Sequence, residues 1–362
     1  MKAGAGISRN ANVREAAGEA ARRALADGGL TRASCLVVAA TPEHLDESIE
    51  LVEALREVAG EDVRIVGGAT GTAAILGDAE QEQGPVLAVL ALDGGGEPFV
   101  VRDGTSTLPA GSHGTAAVFA DPSAPLNRLI ATLRRTAPQA RVAGGGVSVE
   151  GGLLYDDDVI EADAVGLLFD SAPRIAVAQS HQPIGNPLLV TRAEGRAILE
   201  LDGKPAVEAL SMLAEQPGMS QDALRFLALG VSPQPGEPFR ADDFLTVPLL
   251  GVDDDRGSLE SATPVAEGTS VSFTLRDGMG ARRTLSAALT RAGSAKPACG
   301  IYFDCASRGS ALHGTPGLDL RLIEQAYGPF PLLSLRTSFE LGPSGTGTGV
   351  HLFTGVLALA DP

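Results

Sequence analysis

Three times along its length the sequence runs an apolar strand into a turn, an amphipathic helix, a second apolar strand and a polar loop. In the first pass Ser34–Ala40 reads as a strand. Thr41-Pro42-Glu43 supplies an N-cap, a proline for the first helical position and an early acid, and Leu45, Ile49, Val52, Leu55 and Val58 form one stripe. Val63–Val66 then runs into Gly67-Gly68-Ala69-Thr70-Gly71. In the second pass Thr115–Ala120 is a strand, Asp121-Pro122 a turn and Leu126–Thr136 a helix, and Arg141-Val-Ala-Gly-Gly-Gly146 repeats the strand into glycines. In the third, Gly300–Phe303 is a strand, Cys305–Gly309 a loop, Leu318–Tyr327 a helix and Phe330–Leu335 a strand. Alternation of this kind predicts an α/β fold. Internal duplication and generic α/β alternation both account for it.

Between these passes the chain changes character. Residues 12–26 form an Ala-rich helix closed by Gly28-Gly29. Val86–Leu92, Phe99–Val101, Val165–Phe169, Arg174–Ala178 and Leu188–Thr191 read as short strands, which favours mixed or antiparallel pairing. Residues 204–215 and 280–292 read as helices, Phe244–Leu250 and Thr269–Leu275 as strands, and Gln216–Pro238 as a surface excursion. The expected architecture is α/β and two-lobed, with mixed β-sheets flanked by helices and a repeated strand-helix-strand unit. At 362 residues the chain accommodates two domains, placed at 1–185 and 186–362.

Bulk charge narrows the partners. A formal charge of −17 repels phosphate backbones and anionic lipid, so nucleic acid and membrane surfaces are poor candidates. Three cysteines, Cys35, Cys299 and Cys305, make no disulfide framework. Met1–Ser8 lacks the apolar core of a signal peptide, and no segment reaches the length of a membrane span. A reducing, cytoplasmic setting is expected.

Polar groups gather where the C-terminal apolar runs end: Cys305 with Arg308, Glu340 before Gly342-Pro343, and His351 with Thr354. Strand ends of an α/β domain are where ligand pockets form. Arg308 is suited to clamping a carboxylate, or to tying loop carbonyls and pairing with Asp304. Glu340 is suited to a ligand ammonium, or to holding its own turn through backbone N–H groups. Together they would suit the two ends of an amino acid. Cys305 is a thiolate candidate if a cation lies near, and otherwise a small packed residue. His351 and Thr354, three apart on a final strand, would point to opposite faces. Gly67–Gly71 and Gly144–Gly146 fit neither dinucleotide nor Walker spacing and read as tight strand exits, with Thr70 a candidate ligand contact. Asp156–Asp158 and Asp253–Asp255 lack EF-hand alternation and read as solvated turns.

The residues resemble the FIST domain proteins, a family of two-part sensory proteins. Ala17–Leu25, Cys35–Ala40 and Ile65–Gly71 are similar to the first half. Leu189–Gly195 with Ile198–Ala206, then Phe303-Asp-Cys-Ala-Ser-Arg-Gly309, Glu340-Leu-Gly-Pro343 and His351-Leu-Phe-Thr354, are similar to the second. The resemblance implies detection of a small ligand, an amino acid or related metabolite, and coupling to a signalling partner. It also brings a haem-binding nitric-oxide sensor into view. None of His44, His113, His181, His313 and His351 lies in a Cys-x-x-Cys-His motif. His44 reads as capping or solvent-facing, and His181 and His313 as loop residues. The chain departs from the family at Ser334-Leu335, where Gly-Phe is usual, and at Phe339, where a small residue is usual before Glu340. A hydrolase or transferase using Cys305 is the competing class, though no nucleophile-elbow, metal or nicotinamide motif supports it. No enzyme activity and no resident cofactor are expected.

Overall fold

Each of the three strand-helix-strand passes closes on itself as a parallel pair. Cys35–Ala40 lies beside Arg64–Ala69, His113–Ala120 beside Gln139–Gly146, and Cys299–Cys305 beside Leu332–Thr337. The computed structural model describes residues 1–78, 82–216, 219–220 and 224–362. Every parallel pair has the same neighbours. An antiparallel strand flanks the first member: Leu87–Asp93, Ala164–Phe169 and Thr354–Ala360 in turn. Outside these lie Lys2–Ser8, Gly96–Arg102 and Arg174–Gln179.

The second members are joined in a cycle. The short strand after each lends itself, antiparallel, to another pass. Ala73–Ile75 pairs with Leu332–Thr337, Leu153–Tyr155 with Arg64–Ala69, and Glu340 and Leu341 with Gly145 and Gly144. The expected α/β class, with mixed sheets and a repeated unit, is therefore what the chain forms, and the repeat includes a cyclic exchange of strands.

The chain divides into two compact units. The first comprises Met1–Ala178, Leu285–Pro343 and Thr354–Pro362 and holds all three passes. The second comprises Gln179–Thr284 and Ser344–Phe353. A single cut near residue 185 thus does not separate them, because strands from the last third belong with the first 178 residues.

Small residues let the first unit pack closely. Helix Val13–Gly28 is capped by the Asn12 side chain, which accepts from Glu15 N, and ends at Gly29 with φ 58°. Its Ala20 and Ala24 lie against Lys2–Ser8. A Cβ on Gly4 would stand 2.1 Å from Ala24 O, and one on Gly6 2.2 Å from Ala20 O. That strand carries no sequence signal beyond this alternation of glycines.

Several expectations need correcting. The helix after Thr41 is two pieces, Pro42–Leu45 and Ser48–Ala59. The break resets the helical phase, so Leu51, Val52 and Leu55 are buried while Ile49 is 66% exposed. Gly67, Gly68, Gly144 and Gly145 lie within strands Arg64–Ala69 and Gln139–Gly146, while Gly146 ends its strand and Gly71 follows one. A Cβ on Gly67 would lie 1.8 Å from Val38 O, and one on Gly144 2.3 Å from Val118 O, each on the parallel neighbour. Asp156 and Asp157 are held by Arg64 and Arg56, and Asp158 accepts from Ser48. Asp253–Asp255 are exposed at a turn, as expected, with Asp253 accepting from Arg256 N.

The second unit is built on antiparallel strands. His181–Glu194 pairs with Ser270–Arg276, which pairs with Leu227–Val231, then Leu245–Asp253, Ser258–Ser261 and Ala197–Leu201. Ala197–Leu201 returns to the far end of His181–Glu194, closing a barrel. Leu227–Val231 falls within the stretch expected to be a surface excursion. It is instead buried, because Leu227, Leu229 and Val231 fill the barrel with Val190, Ile198 and Phe273. Residues 217–218 and 221–223 of that stretch lie outside the described residues.

Candidate functional site

Cys299–Cys305 and Leu332–Thr337 are apolar until their C-terminal ends, where Asp304 and Arg336 occupy opposite register positions and Cys305 faces Thr337. Arg336 Nη1 donates to Asp304 Oδ2. The turn after Cys305 is closed by Arg308 N donating to Cys305 O (2.8 Å), which folds the Arg308 side chain back into the interior. There it is 1% exposed.

The Arg308 donors are met by the protein itself. Nε and Nη2 donate to Asp319 Oδ2 at 3.0 and 2.7 Å, Nε lies 3.0 Å from Asp304 Oδ1, and Nη1 donates to Ala178 O at 3.1 Å. Asp319 sits in the first turn of helix Leu318–Tyr327 and also accepts from Tyr302 Oη at 2.9 Å. His313 Nε2 lies 3.0 Å from Asp319 Oδ1. Burial works against the Asp319 anion, but Arg308 and His313 outweigh it and hold the carboxyl well below its usual range. Burial likewise opposes the Arg308 cation, yet Asp319, Tyr302 and Asp304 raise its pKa above the ordinary value.

Glu340 is different. It is fully buried and lacks a direct cationic partner in its two named contacts: Oε1 accepts from Thr337 Oγ1 at 2.8 Å and Oε2 from Thr354 N at 3.2 Å. Burial raises its pKa well above the ordinary value, the two hydrogen bonds opposing; Asp304 adds to the rise and Arg308 subtracts from it. Glu340 thus favours the neutral acid. Arg308 and Glu340 are brought within electrostatic range of one another, and both are buried.

The remaining predicted residues divide. Thr70 joins the cluster: its Oγ1 donates to Thr72 O and lies 3.1 Å from Arg336 O, and it accepts from Arg336 N. Thr354 begins strand Thr354–Ala360 and is buried. Cys305 is buried, with Ser307 Oγ 3.2 Å from its sulfur. His351 belongs to the second unit, at the end of strand Gly347–His351. His351 and Thr354 therefore do not share one strand; Leu352-Phe353 turns between them, with Phe353 at φ 59°. Phe339 lays its ring on Gly146, where a Cβ would stand 2.4 Å from Cε1. Its bulk is accommodated by the missing side chain across the sheet.

Sequence reasoning missed Asp319, Arg336, Tyr302 and His313. The available signal was a charged residue near the end of each apolar run, Asp304 and Arg336, in a pair of strands that register in parallel.

Three of the histidines do not suit a haem axial role. His44 is buried, with Nε2 2.9 Å from Asn10 O and Nδ1 3.4 Å from Val86 O, rather than capping or solvent-facing. His113 is exposed against Asp170, and His313, in the short helix Ser310–His313, faces Asp319. His181 lies in a strand, against the Phe353 ring. Among the described residues no group of three or more His, Cys, Asp or Glu is placed to hold a metal ion.

Comparison with known proteins agrees with the resemblance. Residues 34–204 match the FIST N domain and residues 206–343 the FIST C domain. An uncharacterized protein of Mycobacterium tuberculosis is 31% identical, with 99% of both chains covered. An uncharacterized protein of Mycobacterium bovis is 29% identical over 99% of this chain and 98% of its own length.

Proposed function

Because the chain belongs to the FIST domain family, whose domains are sensory domains for small ligands in signal transduction, we propose that it is a cytoplasmic sensor of an amino acid or close derivative. The ligand is held at the strand ends around Glu340, Arg308, Asp304, Cys305, Thr354 and Thr70, and occupancy is read by a partner protein. The family is sensory rather than catalytic. No helix among the described residues is long and apolar enough to cross a membrane.

One observation carries this reading. A buried acid that favours its neutral form stands beside two Asp–Arg pairs at the ends of parallel strands. Burying this many ionisable groups costs stability that an apolar core would not, and such clusters concentrate at functional sites. Glu340 is the group with a charge state left to change. A ligand ammonium arriving there favours its ionised form, and a ligand carboxylate competes with Asp304 for the guanidinium groups. That exchange is the event that shifts the population between two packings.

Thermal unfolding in the presence of each proteinogenic amino acid tests the reading. Wild-type protein gains Tm with at least one, since a ligand that binds only the folded state stabilises it by mass action. Glu340→Gln, which keeps the shape of the neutral acid, loses that gain. If no amino acid raises the wild-type Tm, or Glu340→Gln keeps the full response, the reading is wrong.

A further inference from the structure

Five charged side chains of the first unit run in alternating sign from its surface to its interior. Glu82 Oε1 lies 3.7 Å from Arg336 Nη2, Arg336 meets Asp304, Asp304 lies 3.0 Å from Arg308, and Arg308 lies 2.7 Å from Asp319. Exposure falls steeply along the row. The Glu82 side chain is 38% exposed, and the next four are 9%, 5%, 0% and 6%. A solute arriving from water therefore meets Glu82 before any other member.

Glu82 is also placed differently. The other four stand on strands Cys299–Cys305 and Leu332–Thr337, on the turn after the first of these, and on helix Leu318–Tyr327. Glu82 stands in the connection between strands Ala73–Ile75 and Leu87–Asp93. Its carboxylate reaches across to the turn after Cys305, where Ser310 N donates to Oε1 at 2.8 Å. Gly309 makes the room. Its φ of 61° and ψ of −140° favour glycine, and a Cβ there would stand 2.1 Å from Arg336 Nη2 and 2.6 Å from Glu82 Oε1. A backbone N–H and a guanidinium thus converge on one carboxylate oxygen with no side chain between them. Charge-assisted donors of these two kinds recognise any carboxylate, whether or not it belongs to the chain.

We propose that Glu82 is a tethered stand-in, and that the cradle it fills is the subsite for the ligand's carboxylate. The ligand displaces Glu82 into solvent. Its own carboxylate accepts from Ser310 N and pairs with Arg336, and from there competes with Asp304 for that guanidinium. One carboxylate replaces another, so the buried charges of Arg336, Asp304, Arg308 and Asp319 keep their balance. The subsite rests on the reading of these strand ends as a ligand site and adds a resident competitor to it. A ligand binds by outcompeting Glu82.

Glu82→Ala empties the cradle by a change at an exposed position. Thermal unfolding of wild type and variant is followed over a series of acetate concentrations, with chloride holding the ionic strength constant. Acetamide is the neutral isostere. Glu57→Ala, which takes one exposed carboxylate from Arg14, controls for anions that merely refill a vacated surface pair. If Glu82 fills the cradle for about nine-tenths of the time, its removal raises the apparent affinity of a competing carboxylate about tenfold. Glu82→Ala then gains Tm with a midpoint at an acetate concentration about tenfold below that of wild type, and acetamide gives no gain. No gain in Glu82→Ala, equal midpoints in wild type and variant, an equal acetate response in Glu57→Ala, or an equal gain from acetamide overturns the proposal. Acetate has no ammonium group, so the two readings fail separately. An acetate response in Glu82→Ala without a Tm response to any amino acid keeps the subsite and removes the amino-acid reading. The reverse pattern keeps the amino-acid reading and removes the subsite.

Discussion

Arg308 directs two of its nitrogens, Nε and Nη2, at a single oxygen of Asp319, and both residues are buried. The pair joins the turn after one strand to the first turn of helix Leu318–Tyr327, with Tyr302 on the same oxygen. Removing the anion leaves a buried guanidinium without its principal partner. Asp319→Asn is therefore expected to cost about 3–5 kcal/mol, measured by urea unfolding. A loss under about 1 kcal/mol, the scale of an exposed pair, contradicts the buried geometry. The low pKa of Asp319 has a sign as well. Its contribution is present above the ordinary carboxylate range and lost as pH falls through the depressed folded value. Asp319→Asn removes that acid sensitivity.

Glu340 works in the opposite direction. Its folded pKa lies above the ordinary value, so the folded state holds a proton that the unfolded state releases. The stabilisation is full below the unfolded pKa of about 4.3 and declines as pH rises toward the folded value. Glu340→Gln has no proton to lose. Its stability relative to wild type is expected to grow with pH across that window, read from urea midpoints at a series of pH values. A difference that stays flat with pH shows that the carboxyl is ionised in the fold.

The three parallel pairs were legible because each has apolar strands at both ends and an amphipathic helix between them. Helices Leu126–Thr136 and Leu318–Tyr327 fall at their expected bounds for that reason. Strand Lys2–Ser8 was not legible: Lys-Ala-Gly-Ala-Gly-Ile-Ser has little bulk to reveal a buried element, and its glycines are needed only because a helix lies against them. The barrel strand Leu227–Val231 was hidden by the Pro- and Gly-rich residues around it, which mark turns whether or not a strand lies between. Arg308 and Glu340 stood out in the sequence because they end motifs. Asp319 was not, because its partner lies eleven residues away and only the turn at Arg308 brings them together.

The glycines inside the parallel pairs make a sharper claim than glycines in loops. A Cβ on Gly67 would overlap Val38 O at 1.8 Å, with Val38 held in the adjoining strand, whereas one on Gly71 would meet nothing within 4 Å. Overpacking against a backbone oxygen cannot be relieved by a rotamer change. Gly67→Ala is expected to lose at least about 3 kcal/mol, at the upper end of overpacking costs, and Gly71→Ala to stay within about 1 kcal/mol. Thermal unfolding of the two variants side by side decides it. Equal Tm values would mean that the two strands are not packed at this distance.

In the second unit, His181 provides a pH dependence that does not involve the candidate site. It is buried in strand His181–Glu194, packed on Phe353 with ring centroids 4.9 Å apart, and registered opposite Arg276. Burial first, and then the Arg276 charge, lower its pKa from 6.5 to about 4. The unfolded chain therefore takes up a proton that the folded chain refuses between those values. Stability is full above pH 6.5 and falls as the pH drops toward 4, by up to about 3 kcal/mol. Replacement by Gln leaves nothing to protonate at this position. The expected result is that His181→Gln, whatever its stability at pH 7, loses less on acidification to pH 4.5 than wild type does. Imidazole proton titration by NMR gives the same answer without a variant: a His181 midpoint near 6.5 in the folded protein means that the ring is hydrated and uninfluenced by Arg276.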